Sequence, residues 1–551
     1  MKVSFLFPLV LITSLAACKK DHKPTNLTTE NLIPKPVLIT ASGGVFELTD
    51  ESVIYYHENS PDLQQLAQYL ANKLNSATGF NTKVTATGTE PSSGNIYLSL
   101  NDNEIELKDE GYQLTITEDL VKVTARKPAG IFYGIQTIRQ LLPTNIEASS
   151  ATNGPWEIST GTIRDYPMYT WRGSMLDVAR HFFSVDDVKR YIDLISTYKM
   201  NVLHLHLSDD QGWRIEIKSW PKLATHGGST EVGGGQGGYY TQEQYKDIVN
   251  YAQERFVTII PEIDLPGHIN AALASYGELN GGTIVPLEGA VKVDVSQKAD
   301  LGKQSDLPTA LYTGTDVGWS TLRLEKEATF RFVNDVLREL AAITPGPYLH
   351  IGGDEAHVTK KEDYIIFINK FKSIVESNGK KMVGWEEIAQ ADIDSTVVAQ
   401  HWHSSKYAHL AAEKGSKIIM SPAKKSYLDM QYDSTTKLGL HWAGYIEVDS
   451  AYQWDPSTFI SGVEREHILG IEAPLWTETV TNMDEIEYMV FPRLIGYAEI
   501  GWSPPSVRSW DEYKVRLGKH QERLKALQID YYPSALVPWV STTADSVNTG
   551  K

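Results

Sequence analysis

The chain has 551 residues, 41% hydrophobic and 22% charged, proportions that fit a large globular protein rather than a disordered or low-complexity one. With 69 acidic against 51 basic residues the formal charge is −18, which argues against nucleic acid or an anionic lipid surface as the main partner. A single cysteine excludes an internal disulfide, so the fold relies on its apolar core.

At the start, Lys2 precedes an apolar run from Val3 to Leu15, too short to span a bilayer and suited to the h-region of a signal peptide. The run ends in Leu15-Ala16-Ala17-Cys18, which resembles the bacterial lipobox, where the cysteine becomes the lipidated first residue of the mature protein. Residues 1–17 are therefore expected to be a signal peptide, and residues 18–33 a lipidated N-terminus with a flexible polar tether. On this reading the protein is exported and lipid-anchored to a bacterial outer membrane, on its periplasmic or cell-surface side. No later stretch approaches ~18 unbroken apolar residues, so the lipid on Cys18 is the only membrane contact expected.

From 34 to 163 the elements are mixed. A helical pattern at Leu63–Leu70, alternating strands at Ile96–Leu100, Tyr112–Thr117 and Leu120–Thr124, and a second helix around Gly134–Leu142 predict a small α+β domain. From 164 to 535 the rhythm becomes strand then helix, repeated. Strand-like runs lie at Tyr169–Leu176, Asn201–Leu207, Val257–Ile263, Tyr348–Ile351, Met382–Trp385, Val397–Trp402, Ile418–Ser421 and Leu469–Leu475. Helical patterns at Val185–Tyr198, Gln242–Arg255, Glu325–Ala342, Tyr364–Ser377, Tyr407–Gly415 and Asp484–Ala498 separate most of them. Eight such strands predict a (β/α)8 TIM barrel. A doubly wound open sheet is the alternative, but no glycine-rich phosphate loop follows its first strand. Residues 265–323 are Gly-rich and irregular, and 536–551 form a C-terminal tail.

A barrel of this kind carries its chemistry at the C-terminal strand ends. The fourth strand ends in His350-Ile351-Gly352-Gly353-Asp354-Glu355, where two glycines remove bulk and two carboxylates follow at once. Adjacent carboxylates repel, and unlike surroundings drive their pKa values apart, so one holds a proton while the other stays ionised. Taken alone, the pair reads equally as a turn with Asp354 or Glu355 capping the next helix. His204-Leu205-His206 has metal-ligand spacing. Metal-dependent amidohydrolase barrels carry that pair on the first strand, however, and here it falls on the second. Strand alternation also puts both histidines on one face, where they can pack or hydrogen-bond inside the barrel. Neither a metal nor a cofactor is expected. The 13 tryptophans and 28 tyrosines offer flat faces for stacking on sugars. A non-catalytic glycan-binding surface lipoprotein would use them too, but would not need an acid at position 355.

Several segments together resemble the β-N-acetylhexosaminidases of glycoside hydrolase family 20, over about residues 35 to 535. They are Trp171-Arg172-Gly173, Leu176-Asp177 with Arg180-His181, His204 to Asp210, Asp264-Leu265-Pro266-Gly267-His268, His350 to Glu355, Gly384-Trp385-Glu386-Glu387, Tyr427-Leu428-Asp429 and Leu475-Trp476-Thr477-Glu478, in the family's order. The resemblance implies exo-acting, retaining removal of terminal β-linked N-acetylhexosamine from an oligosaccharide or glycan, assisted by the substrate itself. Glu355 would be the general acid and base. The nucleophile would be the sugar's 2-acetamido oxygen, closing an oxazolinium ring that Asp354 orients and balances. By the same carry-over Arg172 and Glu478 would bind hydroxyls, and Trp385, Trp402 and Trp476 would box the acetamido methyl and the ring face. Tyr427 would donate to the acetamido oxygen, Asp429 would hold a hydroxyl, and His268, oriented by Asp209 or Asp210, would tune Glu355.

Overall fold

The computed structural model describes residues 23–58, 60–283, 285 and 306–539; the expected signal peptide and Cys18 lie outside the described residues. The helix Pro61–Thr78 shows how local chemistry sets the N-terminal elements. Ser60 caps its start, Pro61 occupies the first turn, and Gly79 at φ +72° ends it, while Leu63, Leu66, Leu70 and Leu74 form its buried stripe. With the helix Pro128–Leu141 it shares one core with a seven-stranded mixed sheet. The strands are β1 (Leu38–Glu47), β2 (Val53–His57), β3 (Lys83–Thr87), β4 (Asn95–Leu100), β5 (Tyr112–Ile116), β6 (Leu120–Ala125) and β7 (Glu157–Asp165). Their order is β1-β7-β5-β6-β4-β2-β3.

The second unit is a closed barrel of β8 (Trp171–Asp177), β9 (Val202–His206), β10 (Thr258–Glu262), β11 (Tyr348–His350), β12 (Lys381–Trp385), β13 (Val398–His401), β14 (Lys417–Met420) and β15 (Ile468–Leu475). Parallel pairing of β15 with β8, from Gly470 opposite Trp171 to Leu475 opposite Leu176, closes the ring and excludes an open doubly wound sheet. All eight strands fall on the predicted runs. The helix expected over Asp484–Ala498 is instead two, Met483–Val490 and Arg493–Trp502, because Pro492 has no N–H to continue the ladder.

The expected flexible tether is corrected from Thr25 onward. Thr25 N–H donates to Gly43 O at 3.1 Å, Leu27 is buried in the N-terminal core, and Ile33 is buried in the barrel core. Burying such a side chain is worth about 1.5–3 kcal/mol, and together with the backbone hydrogen bond it holds this otherwise polar segment against the two cores. No helix among the described residues is long and apolar enough to cross a membrane.

Candidate active site

A cavity of about 320 Å³, within the roughly 300–1,000 Å³ usual for small-ligand sites, opens at the C-terminal ends of the barrel strands. Its centre is the turn after β11. Gly352 (φ +65°) and Gly353 (φ +97°) bend the chain through the left-handed region, and a Cβ on Gly352 would stand 1.8 Å from Asp264 Oδ1. That close approach lets Gly353 N–H donate to Asp264 Oδ1 at 2.9 Å. Glu355 itself adopts φ +41°, a conformation that costs an L-residue energy and that surrounding contacts must impose. Neither carboxylate caps a helix: the next one spans Lys361–Ser377 with Lys360 at its N-cap. Both Asp354 and Glu355 line the cavity instead.

Behind them stands His268. Its Nδ1 lies 3.3 Å from Asp209 Oδ1, and its Nε2 lies 3.5 Å from Glu355 Oε2 and 3.8 Å from Asp354 Oδ2. Asp209 is therefore the orienting aspartate. Asp210 accepts from Asn270 N–H at 2.9 Å and Ser320 Oγ–H at 2.6 Å. Burial opposes charge on His268, but Asp209 overcomes it and raises the imidazole well above its usual 6.5. Burial likewise raises Glu355, yet the adjacent His268 imidazole outweighs it and holds the acid below 4.5. Asp354 moves the other way: burial lifts it above 3.8, His268 opposes that, and Glu355 adds to it. Its neighbour Asp264 is raised well above 3.8 by burial and then by Asp354, as expected where two buried carboxyls face each other.

Aromatic rings wall the cavity. Trp402 and Tyr427 stack at 6.5 Å and 19°, Trp442 stands edge-on to both at 6.1 and 5.9 Å, and Tyr427 lies 6.3 Å from Trp476. Trp385 is 1% exposed and sits behind this wall, packing on Trp476 at 5.8 Å and donating its indole N–H to Glu262 at 2.9 Å. At the far side Asp429 and Glu478 line the cavity, and both Asp429 oxygens and Glu478 Oε2 lack a hydrogen-bond partner among the described residues. Burial raises both acids, aided by Glu478 in the case of Asp429. Buried acceptors left open in this way suit ligand hydroxyls.

Two expected site residues do not line the cavity: Trp385, which sits behind the aromatic wall, and Arg172. Arg172 is the second residue of β8, at the end of the barrel away from the cavity, where it is fully buried and pairs with Glu110 at 2.8 Å. Five residues of strand at ~3.3 Å each separate it from Asp177 at the functional end. The arginine that lines the cavity is Arg180, held by Asp177 at 3.3 Å and Asp209 at 2.8 Å, with its guanidinium 4.8 Å from the Trp476 ring. Its position just beyond the first strand end, three residues after Asp177, was the available signal. Trp442 was missed as well, since it lies on the long connection between β14 and β15, remote from any strand end.

The histidines of β9 knit the barrel interior. His204 lies 2.8 Å from Glu472 and 2.9 Å from Glu262, and His206 lies 2.6 Å from Glu262 and 2.9 Å from Asp209. Burial disfavours their charge, but Glu262 foremost raises them to about 9 and about 10. Both rings are thus engaged by carboxylates inside the barrel, the interior role that strand alternation allows them.

Residues 169–505 match the family model "Glycosyl hydrolase family 20, catalytic domain", and residues 29–166 match "Glycosyl hydrolase family 20, domain 2". A β-N-acetylhexosaminidase of Cellulomonas fimi is 39% identical, covering 92% of this chain and 97% of its own. Among solved structures, the family 20 β-N-acetylhexosaminidase of Streptomyces coelicolor A3(2) superposes with a TM-score of 0.86 at 48% identity, covering 94% of this chain and 100% of its own. A mutant Streptomyces plicatus β-hexosaminidase, in complex with its product GlcNAc, gives 0.86 at 47% identity, over 94% and 99% of the two chains. Both family domains, the closed barrel and the carboxylate pair at its fourth strand end place the chain in glycosyl hydrolase family 20, to which it belongs.

Proposed function

We propose that the protein is an exo-acting β-N-acetylhexosaminidase that removes terminal N-acetylhexosamine with retention, through an oxazolinium intermediate. The observation that carries this is the unequal carboxylate pair. Glu355 lies between solvent and His268, where protons can be exchanged, whereas Asp354 is buried against Asp264 and faces the aromatic wall. In the first step the glycosidic C1–O bond breaks as Glu355 protonates its oxygen, the aglycone leaves as an alcohol, the acetamido carbonyl oxygen bonds to C1 from the opposite face, and Asp354 accepts the acetamido N–H and balances its positive charge. In the second step Glu355 takes a proton from water, the water oxygen bonds to C1, and the ring opens to the acetamide. The proton that Glu355 needs is supplied by His268, which carries it in the free site. Tyr427 donates to the acetamido oxygen, Trp402 and Trp476 enclose the methyl with Trp385 behind them, and Arg180, Asp429 and Glu478 bind the hydroxyls.

Glu355→Gln is expected to lower kcat on an aryl N-acetyl-β-glucosaminide by ~10²–10⁴-fold while the sugar still binds. Asp354→Asn should be similarly damaging, and the matching β-glucoside without the acetamido group should not be cleaved. Near-wild-type turnover by Glu355→Gln, or efficient β-glucoside hydrolysis, would overturn the proposal; a glycan-binding protein without catalysis would fail at the wild-type assay. The lipobox-like Leu15-Ala16-Ala17-Cys18 supports export and lipid anchoring. Cys18→Ala is then expected to move the protein from the membrane to the soluble fraction.

A further inference from the structure

Glu387 is a half-buried acid for which the reaction has no use. It follows β12 in the short 3₁₀ turn Glu386–Gln390, beside a second acid, Glu386. Glu386 accepts from the backbone N–H groups of Trp402 and His403 at 3.2 Å each, from Ser404 N–H, and from His401 Nδ1 at 2.5 Å. It thus holds the backbone of the loop after β13. Glu387 reaches the side chain of the same loop: the Trp402 indole N–H stands 3.3 Å from Oε1 and 3.2 Å from Oε2. We propose that Glu387 is a positioning residue, gripping the Trp402 indole from behind so that its face closes the acetamido pocket opposite Tyr427.

Turning the indole over would leave a part-buried N–H donor and its acceptor without each other, so the contact selects one ring orientation. The 19° stack of Trp402 on Tyr427 and the edge contact with Trp442 both depend on that orientation. The charged and titratable groups that face Glu387 are Asp354, Glu386, Tyr364 and Tyr407, none of them cationic. Burial first, then Asp354 and Glu386, raise Glu387 well above 4.5, which favours its protonated form. In that form it accepts the indole N–H without adding negative charge next to the carboxylate that must balance the oxazolinium.

The inference rests on the acetamido-sugar reading, and a double-mutant cycle separates the two. Glu387→Ala and Trp402→Phe, which removes the N–H but keeps an aromatic face, are each expected to raise KM for an aryl N-acetyl-β-glucosaminide about tenfold with kcat little changed. If both act through one hydrogen bond, the double variant should also lose about tenfold rather than about a hundredfold. Glu387→Gln keeps an acceptor oxygen and mimics the protonated acid, and is expected to stay within about twofold of wild type with the same pH profile. Multiplying effects, or a Gln variant as impaired as Ala or shifted in its pH profile, would overturn the inference. Should Glu387→Ala fail to fold, Glu387→Met fills the space without an acceptor and takes its place in the cycle. An inactive wild-type protein would refute the hydrolase reading instead.

Discussion

Two arginines in the first barrel strand and its loop carry opposite duties, and the difference is measurable. Arg180 touches the cavity through its guanidinium, and Arg180→Met is expected to raise KM and lower kcat, costing kcat/KM about a hundredfold, as a charge-assisted hydrogen-bond donor to sugar hydroxyls is worth roughly 1.5–3 kcal/mol. The pH profile belongs to this scale too. His268 is raised above 6.5 in the free site, so its proton is present at neutral pH and is lost only as pH rises through that raised value. The alkaline limb of kcat/KM should therefore lie above 6.5. Asp209→Asn removes the charge that raises His268, and is expected to move that limb to lower pH. The acid limb should follow Asp354, whose burial lifts it above 3.8, with activity falling as pH drops through the lifted value. An alkaline limb unmoved by Asp209→Asn would show that His268 does not supply the proton.

Among the elements, the turn after β11 is the most constrained. Gly352→Ala places a methyl 1.8 Å from Asp264 Oδ1 at φ +65°, so either Asp264 or the turn must move. Loss of the Gly353–Asp264 hydrogen bond follows, and Asp354 and Glu355 lose their aim. The expected result is a kcat reduced at least a hundredfold, since small misplacements cost about that much, with a smaller change in KM. Equal kcat in Gly352→Ala would show that the turn tolerates displacement. The barrel strands around this turn were legible because both their faces are covered, and they read as unbroken apolar runs between turn signals. β1 was not, because Gly43 and Gly44 interrupt it, and β3 was not, because it is an edge strand with Lys83, Thr85 and Ala86 exposed. The site was legible where its residues end a strand, as Asp354, Glu355, Tyr427 and Glu478 do closely enough. Arg180 lies only three residues past the end of β8, so its position was a readable signal; Trp442 escaped because a long loop carries it, and no periodicity marks a loop residue that folds back over the cavity. The indole–carboxyl contact of Trp402 and Glu387 joins two strand ends, a pairing that only three-dimensional register reveals.

For the whole molecule, the question is what the N-terminal domain does for the barrel. It contributes no residue to the cavity lining. Its contact is at the opposite end, where Glu110 accepts two hydrogen bonds from Arg172, at 2.8 and 3.0 Å. The guanidinium also lies 5.5 Å from the Tyr133 ring and 5.0 Å from Trp502, and donates to the carbonyls of Lys199 and Tyr169. Beside it Lys199 pairs with Asp165 at 3.1 Å, and Asp165 accepts from Tyr112 and from the Trp502 indole. This polar cluster spans β5, β7 and Pro128–Leu141 on one side and β8 and Arg493–Trp502 on the other, so it fastens the sheet domain to the closure of the barrel. Removing one partner of a buried pair costs about 3–5 kcal/mol, because the other charge is left without compensation. Glu110 keeps 19% of its side chain exposed and can recover some hydration, which puts Arg172→Met near the lower end. Arg172→Met is therefore expected to lower the urea midpoint by an amount equivalent to about 3 kcal/mol, while the folded variant keeps KM and kcat within about twofold. Glu110→Gln should destabilise in the same direction, with the same indifference of KM. A tenfold rise in KM for Arg172→Met at unchanged stability would return that arginine to the sugar site and undo its assignment to the domain seam.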